Sequence, residues 1–333
     1  MSAFGLALKL ATHSARSRLT GEPYLLNIHL TWKCDSRCRH CGIWARRDRR
    51  EELRLPDYRR MFQGFGKAIG IVSFTGGQPT LKPDLNRIML SAVELLPRLC
   101  IMHYTTNALH PAKDTELADK VLAAHPRLPL RISISLDGTG TEHDEVRGVP
   151  GNYAKVEELF ARLRERRRRH PNLRLGFSTT IGGFNLAGLG ATAAAFPAKD
   201  YHTFDFFHKS RTYYGETAIP GAALDGEQRR GAAATLARRK AGGIEDILNR
   251  AFLALAAGPY LRPACAAGMS TVSIYPNGEI RRCLFLDQPG GGHSPRCRRC
   301  WNTCNAYATM AAHPLTTALS LLRAAAAGGL RGR

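Results

Sequence analysis

Residues 31–41 read T-W-K-C-D-S-R-C-R-H-C, and Cys34, Cys38 and Cys41 within them carry more information than any other part of the chain. The spacing C-x3-C-x2-C puts three thiolates on one short loop. A [4Fe–4S] cluster ordinarily takes four cysteines, and the next one, Cys100, is too distant in sequence to join this loop. One iron would then stay open to a ligand that is not protein. The competing reading is a structural zinc knuckle, but such sites pair cysteines as C-x2-C with a fourth ligand nearby. His40 is the available fourth ligand, and Cys41 beside it crowds that geometry.

Outward from the loop, short apolar runs alternate with longer amphipathic ones. The runs Tyr24–Thr31, Ile69–Thr75, Leu99–Thr106, Leu130–Leu136, Leu173–Ile181 and Thr203–His208 predict strands. Apolar residues at helical spacing over Pro56–Lys67, Pro83–Leu95, Asp114–Ala124, Tyr153–Arg168 and Asn185–Phe196 predict the helices between them. Six β–α units in series imply an α/β fold with a parallel sheet. In such folds the functional loops gather at the carboxyl ends of the strands, and the cysteine loop follows the first strand. Cys100 lies in an apolar strand and reads as a core residue.

The second strand ends in Phe74-Thr75-Gly76-Gly77-Gln78-Pro79-Thr80, where two glycines let backbone approach a ligand closely. Thr105-Thr106-Asn107 closes the third strand, and Ser133-Ile134-Ser135-Leu136-Asp137-Gly138 the fourth. Ser135 and Asp137 share a face because residues two apart on a strand do. His143-Asp144-Glu145-Val146-Arg147-Gly148 follows. Taken together, these segments and the three-cysteine loop resemble the radical S-adenosylmethionine (SAM) enzymes. The resemblance implies a partial (β/α)6 TIM-like barrel. It also implies that the open iron is chelated by the amino and carboxylate groups of SAM. Gly76, Gly77 and Gln78 stand where the family has G-G-E-P around the methionyl ammonium, with a neutral amide in place of the acid. Asn107, Ser135 and Asp137 match segments that contact ribose and methionyl groups, and Arg147 matches an arginine that pairs with the SAM carboxylate.

Further along, Thr271–Cys283 predicts two short strands around a Pro276-Asn277-Gly278 turn. Cys265, Cys283, Cys297, Cys300 and Cys304 form a second set, with Cys265-x12-Gly278-x4-Cys283 followed by C-x2-C. This resembles the twitch form of the SPASM domain, a small hairpin-plus-helix iron–sulfur unit. The resemblance implies an auxiliary [4Fe–4S] cluster, with one cysteine more than it needs. A zinc ribbon is the alternative. The domain expectation is an extension at 1–23, the barrel at 24–220, a helical linker at 221–260, the auxiliary unit at 261–312 and a fraying tail at 313–333.

The resemblance implies reductive cleavage of SAM to a 5′-deoxyadenosyl radical and hydrogen abstraction from a small biosynthetic metabolite or a peptide. Net oxidation would be assisted by the auxiliary cluster, with a flavodoxin or ferredoxin as reductant. No general base or nucleophile is assigned. About two dozen residues precede the first strand, fewer than the roughly 50 of a small domain, so a leader-recognition domain is not expected there. Phe204–Tyr214 is the expected substrate-contacting segment, partly core. Two other classes stay open: an RNA-modifying radical enzyme and a non-catalytic iron–sulfur electron carrier. The net charge of +21 favours the first, but only ten of the 48 basic residues are lysine and the densest run, Arg162–Arg169, reads as a solvated helix face. Hydrophobic content of 44% and charged content of 23% are those of a soluble globular protein. With nine cysteines, no secretory signal and no apolar stretch of about 18 residues, a cytoplasmic address is expected.

Overall fold

Each predicted strand alternates large apolar with polar residues, and in the computed structural model each becomes one. The structure describes residues 3–46, 51–208, 221–238, 244–258, 262–283 and 303–326. The strands are β1 (Leu25–His29), β2 (Ile71–Thr75), β3 (Ile101–Thr106), β4 (Leu130–Ser135), β5 (Leu173–Ile181) and β6 (Tyr201–Phe206). Helices α1 (Ala3–Thr20), α2 (Leu55–Phe65), α3 (Leu85–Leu95), α4 (Pro111–Ala124), α5 (Thr141–Arg147), α6 (Asn152–Arg169) and α7 (Leu189–Ala194) accompany them. Beyond β6 come α8 (Gly226–Ala237), α9 (Ile244–Ala257), the hairpin β7 (Thr271–Ile274) and β8 (Ile280–Arg281), then α10 (Thr303–Ala312) and α11 (Pro314–Ala326).

The sheet order is β6-β5-β4-β3-β2-β1-β7-β8, with every neighbouring pair parallel except β7 and β8. The expected hairpin is present. Its first strand pairs in parallel with β1, Leu25 opposite Thr271 and Ile28 opposite Ile274, so it continues the sheet of the barrel strands. The tail expected to fray is helical over Pro314–Ala326, with Leu321 packed against the second buried apolar cluster. The helix expected over Asn185–Phe196 shortens to α7, since Asn185 is drawn into a turn by Gly182 N donating to its Oδ1 at 3.0 Å.

One face of the sheet is apolar. Leu26, Ile28, Val72, Phe74, Met102, Tyr104, Ile132, Ile134, Leu175 and Phe177 pack there against helices such as α2, α3 and α6. The other face is polar, and a hydrogen-bonded row crosses it. Ser73 Oγ meets His103 Nδ1 at 2.8 Å, His103 Nε2 meets Ser133 Oγ at 2.8 Å, and Ser133 Oγ meets the Tyr201 hydroxyl at 3.0 Å. The row skips β5 because Gly176 stands between Ser133 and Tyr201, and a Cβ there would sit 2.4 Å from the Tyr201 ring.

Helix α1 covers the amino ends of the strands: Arg16 Nη1 donates to Lys67 O at 2.9 Å, His13 Nε2 meets Arg98 O at 3.2 Å and Ser17 Oγ donates to Met269 O at 3.2 Å. Helix α10 joins the two sides of the sheet. Asp205 on β6 accepts from Thr303 N at 2.9 Å, while Thr271 Oγ1 on β7 donates to Asn305 Oδ1 at 2.8 Å. Cys100 is buried, with its thiol on Gly70 O, as expected of a core residue.

Burial pushes His29 and His103 down to about 3 from the ordinary 6.5, with Arg131 adding to the effect at His103. Both are therefore neutral in the folded protein at pH 7, whereas the unfolded chain takes up their protons below about 6.5. Their contribution to stability is complete above that pH and lost as pH falls toward 3, by about 1.4 kcal/mol per pH unit for each histidine. Urea midpoints measured between pH 7 and 4 should fall accordingly, and His103→Gln should flatten the slope.

Candidate active site

The chain leaves β1 through Leu30–Lys33 and is seized by the end of β2. Gly77 N donates to Thr31 O and Gln78 N to Lys33 O, both at 2.8 Å. A Cβ on Gly77 would lie 2.1 Å from the Lys33 carbonyl oxygen, so only glycine permits this approach. Gly76, at φ +128, abuts Thr31 in the same way. Glu52 Oε1 adds a second hold, accepting from Thr31 Oγ1 at 2.7 Å and Trp32 N at 3.0 Å, and buried Lys82 pairs with Glu52 at 3.4 Å.

Cys34, Cys38 and Cys41 follow as free thiols, Cys38 buried and the others half-buried. The loop between them is pinned from two sides. Asn107, at the end of β3, donates through Nδ2 to Asp35 Oδ1 at 2.6 Å and to Ser36 Oγ at 2.8 Å, and His110 Nε2 meets Asp35 Oδ2 at 2.6 Å. From α5, Arg147 O accepts from Arg37 N at 3.0 Å and Val146 O from Arg39 N at 2.9 Å. Gly148, at φ +66, ends α5 where a Cβ would be 2.4 Å from Arg37 O.

The other expected binding residues gather at the same strand ends. Gln78 is fully buried; its Oε1 accepts from Asn107 N at 2.9 Å and its Nε2 donates to Thr80 and Thr106. Both ends of the amide are thus engaged within the protein. Ser135 is half-buried at the end of β4. Asp137 is buried and accepts from Arg147 Nη1 at 3.1 Å and Thr180 N at 2.9 Å. Its main chain is held by His143 Nδ1 and Asn185 Nδ2. Burial raises the Asp137 pKa, but His40, Arg147 and the Thr180 amide outweigh that and hold it below the ordinary value.

Burial pushes Cys38 up to about 11 and raises Cys34 and Cys41 as well, while the Arg147 charge opposes the rise at all three. Thiolates on this loop therefore need compensating positive charge. Two buried polar atoms beside it, Arg147 Nε and His40 Nδ1, have no partner among the described residues. Among those residues, no group of three His, Cys, Asp or Glu is placed to hold a single metal ion. A four-iron cube is a larger object, and three soft thiolates are the donor set it takes. The residues fit such a cluster.

In the second cysteine set, Cys265 is half-buried ahead of β7 and Cys283 is buried just beyond β8. Gly268 lies against Arg282, which brings their two segments side by side. Cys304 stands in the first turn of α10, and Cys297 and Cys300 lie outside the described residues. In the segment expected to contact substrate, Phe204 and Phe206 are core and Asp205 holds α10, while residues 209–214 lie outside the described ones.

Asp35, Glu52, Lys82, His110 and Thr180 escaped the sequence reading. Asp35 is a spacer position of the cysteine motif and the others belong to no recognisable motif; each acts across a long sequence separation.

Residues 28–194 match the Radical SAM superfamily. The chain is 28% identical over 148 residues to the AdoMet-dependent heme synthase of Oleidesulfovibrio alaskensis, covering 43% of this chain and 36% of that protein. It is 29% identical over 166 residues to the pre-heme d1 synthase of Dinoroseobacter shibae, covering 49% and 38%. It thus spans less than two fifths of the length of these relatives. Among solved structures, anSMEcpe with bound AdoMet superposes with a TM-score of 0.60 at 14% identity, covering 88% of this chain and 82% of that one. Streptococcus suis SuiB bound to S-adenosylmethionine gives 0.57 at 18% identity, covering 83% and 65%. At these identities the likeness is one of fold.

Asn107→Ala removes two donors from the cysteine loop and should cost about 1–3 kcal/mol. Gly77→Ala should displace Lys33 and with it Cys34. Both variants are expected to keep the sheet, read by circular dichroism, and to retain less iron after anaerobic reconstitution.

Proposed function

Because the chain belongs to the radical SAM superfamily, we propose that it reductively cleaves S-adenosylmethionine and uses the resulting 5′-deoxyadenosyl radical to take hydrogen from a small biosynthetic metabolite or a peptide. A [4Fe–4S] cluster on Cys34, Cys38 and Cys41 would supply the electron for that cleavage. The protein's part is to hold and orient. The clasp at Gly76 and Gly77 sets the loop, and Gln78 and Asn107 brace it from within. Ser135 on the open polar face and the Asp137–Arg147 pair are the groups left to meet SAM.

The observation that carries this reading is the placing of three free thiols on one clasped loop at the carboxyl ends of parallel strands, beside a buried guanidinium. Both substrate classes have support. The two sequence relatives are named as heme synthases, and the fold neighbours include SuiB bound to precursor peptide SuiA and anSMEcpe bound to a Cp18Cys peptide. In this reading residues 24–220 form the catalytic core and 261–312 the auxiliary unit. There, Cys265 and Cys283, with ligands from Cys297, Cys300 and Cys304, hold a second [4Fe–4S] cluster that takes the remaining electron from the substrate. The net reaction is then a two-electron oxidation, fed by a flavodoxin or ferredoxin in the cytoplasm. No helix among the described residues is long and apolar enough to cross a membrane.

RNA is the less supported partner. Within the basic run of α6, Arg162 pairs with Glu158, Arg166 with Asp119, Arg167 with Asp200 and Arg168 with Glu165. A charge already met by the protein's own carboxylates offers little to phosphate.

Anaerobic reconstitution should give about eight irons per chain for two clusters. Dithionite and SAM should then yield 5′-deoxyadenosine. Replacing Cys34, Cys38 and Cys41 by alanine together should halve the iron and abolish that product. A loaded chain that leaves SAM intact under dithionite would be an electron carrier instead, and the reading would be abandoned.

A further inference from the structure

Arg147 is a charged side chain only 8% exposed, at the carboxyl end of α5, whose carbonyls hold the cysteine loop on both sides of Cys38. A guanidinium carries five N–H donors. Nη1 is spent on Asp137 at 3.1 Å, and Nε has no partner among the described residues. Asp137, 1% exposed, has one oxygen on Arg147 and the other on the Thr180 amide. Arg147 thus stands against a buried carboxylate, on the helix end that holds the cysteine loop on both sides of Cys38, with its Nε unpartnered among the described residues.

We propose that Arg147 is the charge partner of the cysteine loop, and that the Arg147–Asp137 balance sets how readily a cluster on Cys34, Cys38 and Cys41 accepts an electron. This rests on the function proposed above and gives Arg147 a role in addition to meeting SAM. A [4Fe–4S] core with three thiolates carries one net negative charge when oxidised and two when reduced; the step adds one electron and no proton. A nearby buried cation favours the more negative state, and a nearby buried anion opposes it, because low polarity strengthens both interactions.

The test is a mediated redox titration of the full-length reconstituted protein without SAM, with titanium(III) citrate as the one-electron reductant and the EPR signal of the reduced cluster as readout. Arg147→Met is expected to lower the ratio of reduced to oxidised cluster at fixed potential at least tenfold, a downward shift of about 59 mV for a one-electron couple. Asp137→Asn should shift the potential upward, and Arg147→Lys, which keeps the charge, should stay near the parent. The opposite signs keep the idea testable if Arg147→Met loads iron poorly. Unmoved potentials in Arg147→Met and Asp137→Asn, with weakened SAM binding by equilibrium dialysis, would overturn it and leave Arg147 as a ligand of SAM. A protein that loads a cluster and cleaves SAM with unshifted potentials defeats this inference alone. One that binds no iron defeats the proposed function too.

Discussion

Two backbone hydrogen bonds govern the functional end of this molecule. By fastening Thr31 and Lys33 to Gly77 and Gln78, they fix the direction in which the chain leaves β1, and so the starting point of the cysteine loop. Everything else at the strand ends is arranged around that fixed departure. Gln78 is buried because its backbone is committed to Lys33, and its amide then reaches Asn107, which reaches the loop. Arg147 and Val146 close the circuit from α5. The thiols are placed by main-chain contacts with little freedom to move, as a site needs if it must hold a large inorganic group without rearranging.

The polar face of the sheet departs from the usual barrel interior, which is filled by branched aliphatic side chains. Here Asn27, Ser73, His103, Ser133 and Tyr201 occupy it, and the aliphatic residues face the helices. His103 is met there by hydroxyls at both ring nitrogens and remains uncharged, which limits the desolvation cost of a polar interior. A face of this kind suits a cofactor and substrate rich in hydroxyl, amino and carboxylate groups.

Much of this was readable in the chain because the signals are local. The six strands show period-two alternation, the cysteines sit within eight residues, and Gly-Gly marks a close approach. The unreadable parts are those in which distant segments meet. Nothing near Thr271 announces that β7 will pair with β1, where Leu25 lies opposite it. Helix α5 has seven residues between Gly140 and Gly148, too few to show a period. Asp35 and Glu52 look like ordinary polar loop residues until His110, Asn107, Thr31 and Lys82 are folded against them. Gln78 was legible as a departure from an acidic motif, but its inward engagement depends on the neighbouring end of β3.

Helix α10 has a wider meaning. It runs from Asp205 on β6 to Thr271 on β7, bridging parts of the sheet that no strand pairing connects. One helix thus ties together two strands that are not neighbours in the sheet, with Cys304 in its first turn. Any change that shifted this helix would be felt at β6 and at β7 alike.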